Sequence, residues 1–270
     1  MPELPEVETT RRGISVHIIG DKIEYIEIRQ RQLRWKIPED LHVYLVHKTL
    51  LSIERRAKYL LLNFESGTLL IHLGMSGSLR ICPLNTPTEK HDHADIVFTH
   101  CLLRYTDPRR FGAILWLGLN PYAHKLLCNL GVEPLSVDLT GEYLYEKSKR
   151  RRLAVKQFIM DQRVLTGVGN IYATEALFLS AIKPTLRAGD ISLERYQLLV
   201  QEIQKVLKTA IEQGGTTLKD FVGSDGKPGY FQQQLHIYGK KGGHCPICLG
   251  PLSSLKLAGR NSVYCDHCQT

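Results

Sequence analysis

No stretch of this 270-residue chain approaches the ~18 consecutive apolar residues of a membrane-spanning helix. Nor does it open on a basic-then-apolar leader, so the expected location is the cytoplasm. It has no long basic amphipathic helix of the kind that lies on an anionic membrane. It also has no internal repeat or low-complexity tract, which excludes a solenoid. The cysteines do not form an even set: of seven, four sit in paired CxxC units near the C-terminus, and Cys82, Cys101 and Cys128 are scattered. In a cytoplasmic chain that usage points to a metal site and idle thiols, not to a disulfide framework. What is present is an ordinary globular composition, 43% apolar and long enough for two domains. Lys plus Arg exceed Asp plus Glu by 35 to 27, the formal net charge is +8 and the pI about 9.1, so the expected partner is an anion.

Residues 4–12 read as a short helix, with Pro5 in its first turn, Glu6 and Glu8 against the positive end of its dipole, and Gly13 as its stop. From Lys22 to about Leu117 the chain runs in short segments rich in Ile, Leu, Val and aromatics, broken by turns such as Glu65-Ser66-Gly67. That spacing predicts a β-sandwich or barrel. Residues 121–131 read helical and end on Gly131. After Val132-Glu133-Pro134-Leu135 the pattern turns helical, from Thr140 onward. Two apolar helices flank the turn from Val164 to Gly169, and a longer helix spans about 192–213, capped by Ser192 and stopped by Gly214-Gly215. The segment 218–231, rich in Gly, Lys and Asp, reads as a loop. The fold class is therefore α+β in two domains: 1–131 is the strand-rich one, 132–152 a linker, 153–235 a helical domain and 236–270 a cysteine module.

Pro2 and Glu3 follow Met1. Trimming Met1, which a small second residue permits, would free proline's secondary amine beside a carboxylate. An α-amino group titrates near ~7.7–8, against ~10.4 for lysine, so a useful neutral fraction exists at physiological pH. Attack of that amine on a sugar carbon gives an iminium ion, an electron sink from the moment it forms. The helix dipole would lower the amine pKa while Glu3, Glu6 and Glu8 would raise it, and the sequence leaves that balance open.

Cys245-Pro-Ile-Cys248 and Cys265-Asp-His-Cys268 are separated by sixteen residues, the spacing that places four thiolates around one structural Zn²⁺ with a β-hairpin between the knuckles. His244 and His267 are adjacent alternative ligands, but four cysteines already close the site. Such a module is too small to fold without its metal. Arg260 sits at the predicted hairpin tip, where a cation on a rigid turn suits phosphate. The stretch Lys147 to Lys156, including Arg151, has six cations in ten residues and no acid, and runs into a helix beside a glycine turn. Asn170 opens the next helix, either as a cap or as a phosphate contact. Asp107-Pro-Arg109-Arg110-Phe111-Gly112 is a strand-end turn, and Met75 lies in the glycine-flanked loop Gly74 to Gly77. By itself the former reads as a surface turn with Phe111 tucked into the core; beside Met75, Arg109 and Phe111 could instead form an apolar wedge with a hydrogen-bonding arm, a tool that holds open the gap a departed base leaves. Lys58 stands in an otherwise apolar strand.

Taken in order, MPELPEVE, RRAKYLL, HLGMSGSL, KHDH, DPRRFG, GVGNIYATEAL, GGTTLKDF with GKPGYF, and the paired CxxC tail resemble the formamidopyrimidine-DNA glycosylase family, bacterial base-excision enzymes for oxidised purines. The resemblance covers nearly the whole chain. It implies an N-terminal β-sandwich with flanking helices, then a helix–two-turn–helix domain and a zinc-finger β-hairpin, with double-stranded DNA bound between. Carried over by position, Pro2 is the nucleophile at C1′, Glu3 a proton shuttle, Lys58 a cation assisting base departure, and Arg260 a phosphate ligand aiding elimination. His91, Arg109, Arg151 and Asn170 become DNA contacts, and Lys156 is counted with them from the cation run. Met75, Arg109 and Phe111 become the helix-filling triad. Glu6, Thr216, Thr217 and Tyr230 line the pocket for the everted base. Oxidised bases or abasic sites in DNA are the implied substrates, one structural zinc the implied ion, and the chemistry asks for no redox or organic cofactor. A monomer is expected. Two alternatives stay open: the sister endonuclease VIII type, which prefers oxidised pyrimidines, and a non-catalytic zinc-ribbon DNA-binding protein. Intact Pro2, Glu3 and Lys58 speak against the second.

Overall fold

A computed structural model describes residues 2–215 and 235–270. The chain divides into two compact units, one built on Met1–Cys128 with Gln213 to Gly215, the other on Asn129–Glu212 and the C-terminal segment.

The first unit opens with α1 (Leu4–Ile18) and carries eight strands: β1 (Ile23–Ile28), β2 (Ser52–Arg56), β3 (Tyr59–Phe64), β4 (Gly67–His72), β5 (Ser78–Cys82), β6 (Asp92–Phe98), β7 (Leu102–Thr106) and β8 (Ala113–Gly118), with the short α2 (Leu41–Leu45) between β1 and β2. They form two four-stranded antiparallel sheets, ordered β1-β6-β7-β5 and β2-β3-β4-β8. Alternate residues of both sheets meet in one core: Leu60, Leu62, Leu69, Ile71 and Ile114 from one, Leu79, Ile96, Phe98 and Leu103 from the other. The sandwich read from strand spacing is therefore the observed architecture.

Helix α1 runs through Gly13 and ends a turn and a half later, beside Gly20 at φ +90°. Ile14 and Ile18 continue the apolar stripe begun by Leu4 and Val7 and are fully buried, so packing outweighs the glycine's propensity cost of about 1 kcal/mol. Residues 121–131 also depart from expectation, forming only a 3-10 turn at Pro121–Ala123 and further turns. Of this stretch only Leu127 is buried, which leaves no apolar stripe to hold a longer helix. On the outer face of β6 and β7, Arg104 is buried and forks onto Asp95 with two contacts of 2.9 Å.

The second unit holds α3 (Gly141–Ser148), α4 (Val155–Ile159), α5 (Asn170–Leu179) and α6 (Leu193–Glu212), then the hairpin β9 (Ser253–Leu257) and β10 (Arg260–Tyr264). The stretch 132–152 is no bare linker, because it contains α3, whose Thr140 caps the Tyr143 N–H and whose Leu144 is buried where α3 packs on α6. Helix α5 is buried from Ile171 to Phe178 and forms the unit's centre. Helix α6 keeps the expected stripe from Tyr196 to Ile211 and stops at Gly214 and Gly215, with φ +76° and +82°.

Candidate active site and metal centre

In the first unit Pro2 is buried at the start of α1, followed by buried Glu3 and Glu6. The Glu6 carboxylate accepts the Glu3 N–H at 2.8 Å, so the chain's first residues are tied to the helix they precede. Gly215 lies against Glu6: a β-carbon added there would stand 3.4 Å from Glu6 Cγ. Thr216, Thr217 and Tyr230, expected in the base pocket, lie outside the described residues.

Lys58 is found at the hairpin corner between β2 and β3, not within a strand, yet it is only 4% exposed. The residue before it, Ala57, has φ +55°, a left-handed conformation that costs a non-glycine residue roughly 1–2 kcal/mol. What holds this corner is Arg55, whose Nη1 donates to the Ala57 carbonyl at 3.0 Å while Nε meets Glu8 of α1 at 3.2 Å. Glu8 also takes Arg11 and Arg12. Burial pushes the Glu8 carboxyl upward, but these guanidinium partners outweigh it and hold the group below the usual carboxylate range. The helix that follows Pro2 and Glu3 and the corner that carries Lys58 are thus pinned together. Nearby His72 accepts the Gly74 N–H on Nδ1 at 3.1 Å. Its pKa is lowered to about 4, first by burial and then by the cations Lys58 and Arg34, so it stays neutral.

Met75 is half-buried in its loop, and Phe111 and Arg109 are exposed, with the Arg109 guanidinium 4.9 Å from the Phe111 ring centre. His91 is half-buried just before β6, its ring 6.4 Å from that of His93. Three residues of this unit have structural roles that the sequence did not reveal: Arg55, Glu8 as its partner, and the buried Asp107.

In the second unit, Lys156, Asn170 and Arg260 meet around one pocket of about 230 Å³, lined also by Met160, Asp161 and Leu257. Arg260 follows the turn Ala258-Gly259 and is exposed. Arg151 is exposed as well. Lys156, expected at the DNA surface, is instead 2% exposed and donates to Thr174 Oγ1 and Ser262 Oγ, both at 2.8 Å. Asn170 is the first residue of α5 after the cap Gly169, and its amide donates to the Asn261 carbonyl at 3.1 Å. Its Oδ1 is buried with no hydrogen-bond partner among the described residues. Both side chains therefore clasp β10 and fix the strand on which Arg260 rides.

Glu175, also unremarked in the sequence, is 1% exposed and accepts four hydrogen bonds of 2.7–3.0 Å, from the His236 ring and from the backbone N–H groups of His236, Ile237 and Tyr238. Burial would push its carboxyl up; the His236 and backbone bonds outweigh that and leave the pKa lowered. A folded-state pKa below the unfolded value contributes stability that is full above the unfolded pKa and is lost as pH falls through the folded one. Glu175→Gln, which turns an amide N–H towards those donors, is expected to lower unfolding free energy by about 3–5 kcal/mol at pH 7. The gap from the parent should narrow below about pH 4. Denaturant titrations at the two pH values check both statements.

The Sγ atoms of Cys245, Cys248, Cys265 and Cys268 all lie within 4.8 Å of one another, with 3.8 Å between Cys245 and Cys268 and 3.5 Å between Cys248 and Cys265. Four sulfurs about 2.3 Å from a tetrahedral ion would sit about 3.8 Å apart, so the set fits a metal. The Ile247 and Cys268 backbone N–H groups each meet a cysteine sulfur at 3.4 Å, the knuckle geometry that supports thiolate charge. Beneath the sulfurs lie Phe178, Ile237, Leu252 and Val263.

Comparison with known proteins joins the two units. Residues 1–114 match the Formamidopyrimidine-DNA glycosylase N-terminal domain family and residues 130–222 the Formamidopyrimidine-DNA glycosylase H2TH domain family. The formamidopyrimidine-DNA glycosylase of Psychromonas ingrahamii is 67% identical over 270 residues, covering 100% of both chains. Among solved structures, a complex of Lactococcus lactis Fpg with DNA containing an abasic site superposes with a TM-score of 0.92 at 33% identity over 99% of each chain. A complex of the same enzyme with DNA containing an oxidized pyrimidine gives 0.92 at 34% identity, again over 99% of each.

Proposed function

The chain belongs to the formamidopyrimidine-DNA glycosylase family of base-excision repair enzymes, and on that premise we propose that it is a bifunctional glycosylase and AP lyase. In this reading it removes oxidised purines such as 8-oxoguanine and formamidopyrimidines from double-stranded DNA, working as a monomer with one structural zinc. The observation that carries the reading is the buried Pro2-Glu3 start of α1, held by Glu6 in the same unit as the pinned Lys58 corner.

With Met1 removed, the Pro2 nitrogen lone pair forms a bond to C1′ as the bond from C1′ to the base breaks. The departing base keeps that electron pair and takes up a proton, its negative charge eased by the Lys58 ammonium. Glu3 takes the proton from the Pro2 nitrogen and passes it to the ring oxygen, as the restored nitrogen lone pair opens the sugar and leaves an iminium between Pro2 and C1′. Charge on that nitrogen acidifies C2′, whose proton is lost as the 3′ phosphate leaves. A second elimination loses the C4′ proton and expels the 5′ phosphate, and water hydrolyses the remaining iminium to return the amine. Arg260, Arg151, Arg109, His91 and Asn170 serve as phosphate contacts, Arg260 also aiding elimination. The side chains of Lys156 and Asn170 hold the strand that carries Arg260. Zinc supplies folding energy to the hairpin and takes no part in these steps.

Borohydride reduces the iminium and freezes the adduct. On a duplex containing 8-oxoguanine the expected result is a covalent protein–DNA species whose cross-linked peptide, by mass spectrometry, is the N-terminal one beginning at Pro2. A cross-link mapped to an internal lysine overturns the mechanism. Comparing cleavage of 8-oxoguanine with that of thymine glycol tests the substrate class, and a clear preference for thymine glycol moves it to oxidised pyrimidines.

A further inference from the structure

Asp107 is fully buried, and its carboxylate gathers donors from both of the loops that carry the helix-filling residues. Oδ1 accepts from Ser76 Oγ at 3.0 Å and from the Arg109 N–H at 3.3 Å. Oδ2 accepts from the Tyr105 hydroxyl at 3.2 Å and from the Gly112 N–H at 2.9 Å. Its own carbonyl accepts from His93 Nε2 at 2.8 Å. Ser76 adjoins Met75, and Arg109 and Gly112 bracket Phe111. The two loops also touch backbone to backbone. Gly74, at φ +65°, would place a β-carbon 2.5 Å from the Phe111 carbonyl carbon, and a β-carbon on Gly112 would strike the Tyr105 hydroxyl.

We propose that Asp107 is a positioning residue that locks the Met75 loop and the 107–112 turn into one preassembled wedge, so that Met75, Arg109 and Phe111 enter the duplex as a single rigid group. The inference rests on the wedge role given to those three residues above. Its physical content is that the loops are ordered when the protein folds, so insertion carries no separate ordering cost. An Asn at 107 keeps the shape but turns an amide N–H towards Ser76 and Arg109 or towards Tyr105 and Gly112, since no rotamer of the amide offers two acceptors. Ser76→Ala removes only the bond between the loops and leaves the carboxylate its other donors.

The test uses the full chain and two substrates. One is a duplex with 8-oxoguanine and a fluorescent base analogue in the opposite strand, followed by stopped flow. The other is a single-stranded abasic oligonucleotide, followed by borohydride trapping. Insertion into the duplex is expected to slow ~100-fold in Asp107→Asn and about 10-fold in Ser76→Ala, with trapping on the single strand near the parent rate in both. Unchanged insertion, or equal slowing on both substrates, overturns the proposal. Should Asp107→Asn fail to fold, Ser76→Ala decides by the same two readouts. A parent protein that cannot be trapped on the single strand sinks the lyase reading itself, whereas a parent that traps beside variants with normal insertion sinks only the role of Asp107.

Discussion

Acetylation of the N-terminal amine, or retention of Met1, should abolish the borohydride-trapped adduct and strand cleavage together. In either form the Pro2 nitrogen is an amide whose lone pair is delocalised into the carbonyl, so it has nothing to offer C1′. An ordinary α-amine titrates near ~7.7–8 against ~10.4 for an ordinary lysine, so near pH 7 roughly a tenth of the first is neutral and only about one in two thousand of the second. Pro2→Gly keeps a free amine but a primary one, whose imine must be protonated before it withdraws electrons; trapping should fall without vanishing. DNA binding is the control, because the exposed cations Arg109, Arg151 and Arg260 keep their charge when the amine is blocked. Should the blocked protein still trap, the nucleophile is a lysine, with Lys58 the first to substitute.

How much of this could be read from the sequence depended on the range of each signal. The paired CxxC units and the strands of the sandwich are local patterns, and both appear where spacing put them. In β3, Leu60, Leu62 and Phe64 face the core, but Leu61 is buried on the other side, so the run of three leucines marks a strand without marking its face. Gly13 misled because a local stop signal lost to the distant surface that buries Ile14 and Ile18. Lys58 was read as a strand residue because nothing near it resembles a turn; the corner turns on Ala57, an unusual residue at positive φ, and the Arg55 that holds it is itself held by Glu8, 47 positions away. Asp107 and Glu175 escaped for the same reason. An acid's neighbours in the chain do not reveal whether it faces water or collects donors from residues 31 and 61 positions away. Lys156 shows the converse: it sits in a run of cations that reads as surface, yet its ammonium is spent on Thr174 and Ser262.

Removing the metal should unfold the C-terminal hairpin and carry lesion binding away with it. Among the described residues, the cluster buried with the cysteines holds four apolar side chains, Phe178, Ile237, Leu252 and Val263, and one of them belongs to α5. So small a core cannot by itself hold the segment from Leu235 to Thr270 folded. Structural zinc in such a module supplies ~10–16 kcal/mol at neutral pH. Loss of the hairpin also strands two groups in the helical unit: Lys156 loses Ser262 and Asn170 loses the Asn261 carbonyl, which leaves a buried ammonium with one hydroxyl acceptor fewer. Chelation should therefore expose amides of β9 and β10 first and of α4 and the start of α5 next in hydrogen exchange. The sandwich strands β3 and β4 should keep their protection. Affinity for lesion-bearing duplex should fall by at least ~100-fold, since Arg260 and its neighbours lose their fixed positions, and should return on adding zinc. Sandwich strands that unprotect together with the hairpin would show the two units to be one cooperative body, and undiminished binding after chelation would show that phosphate recognition does not depend on the hairpin.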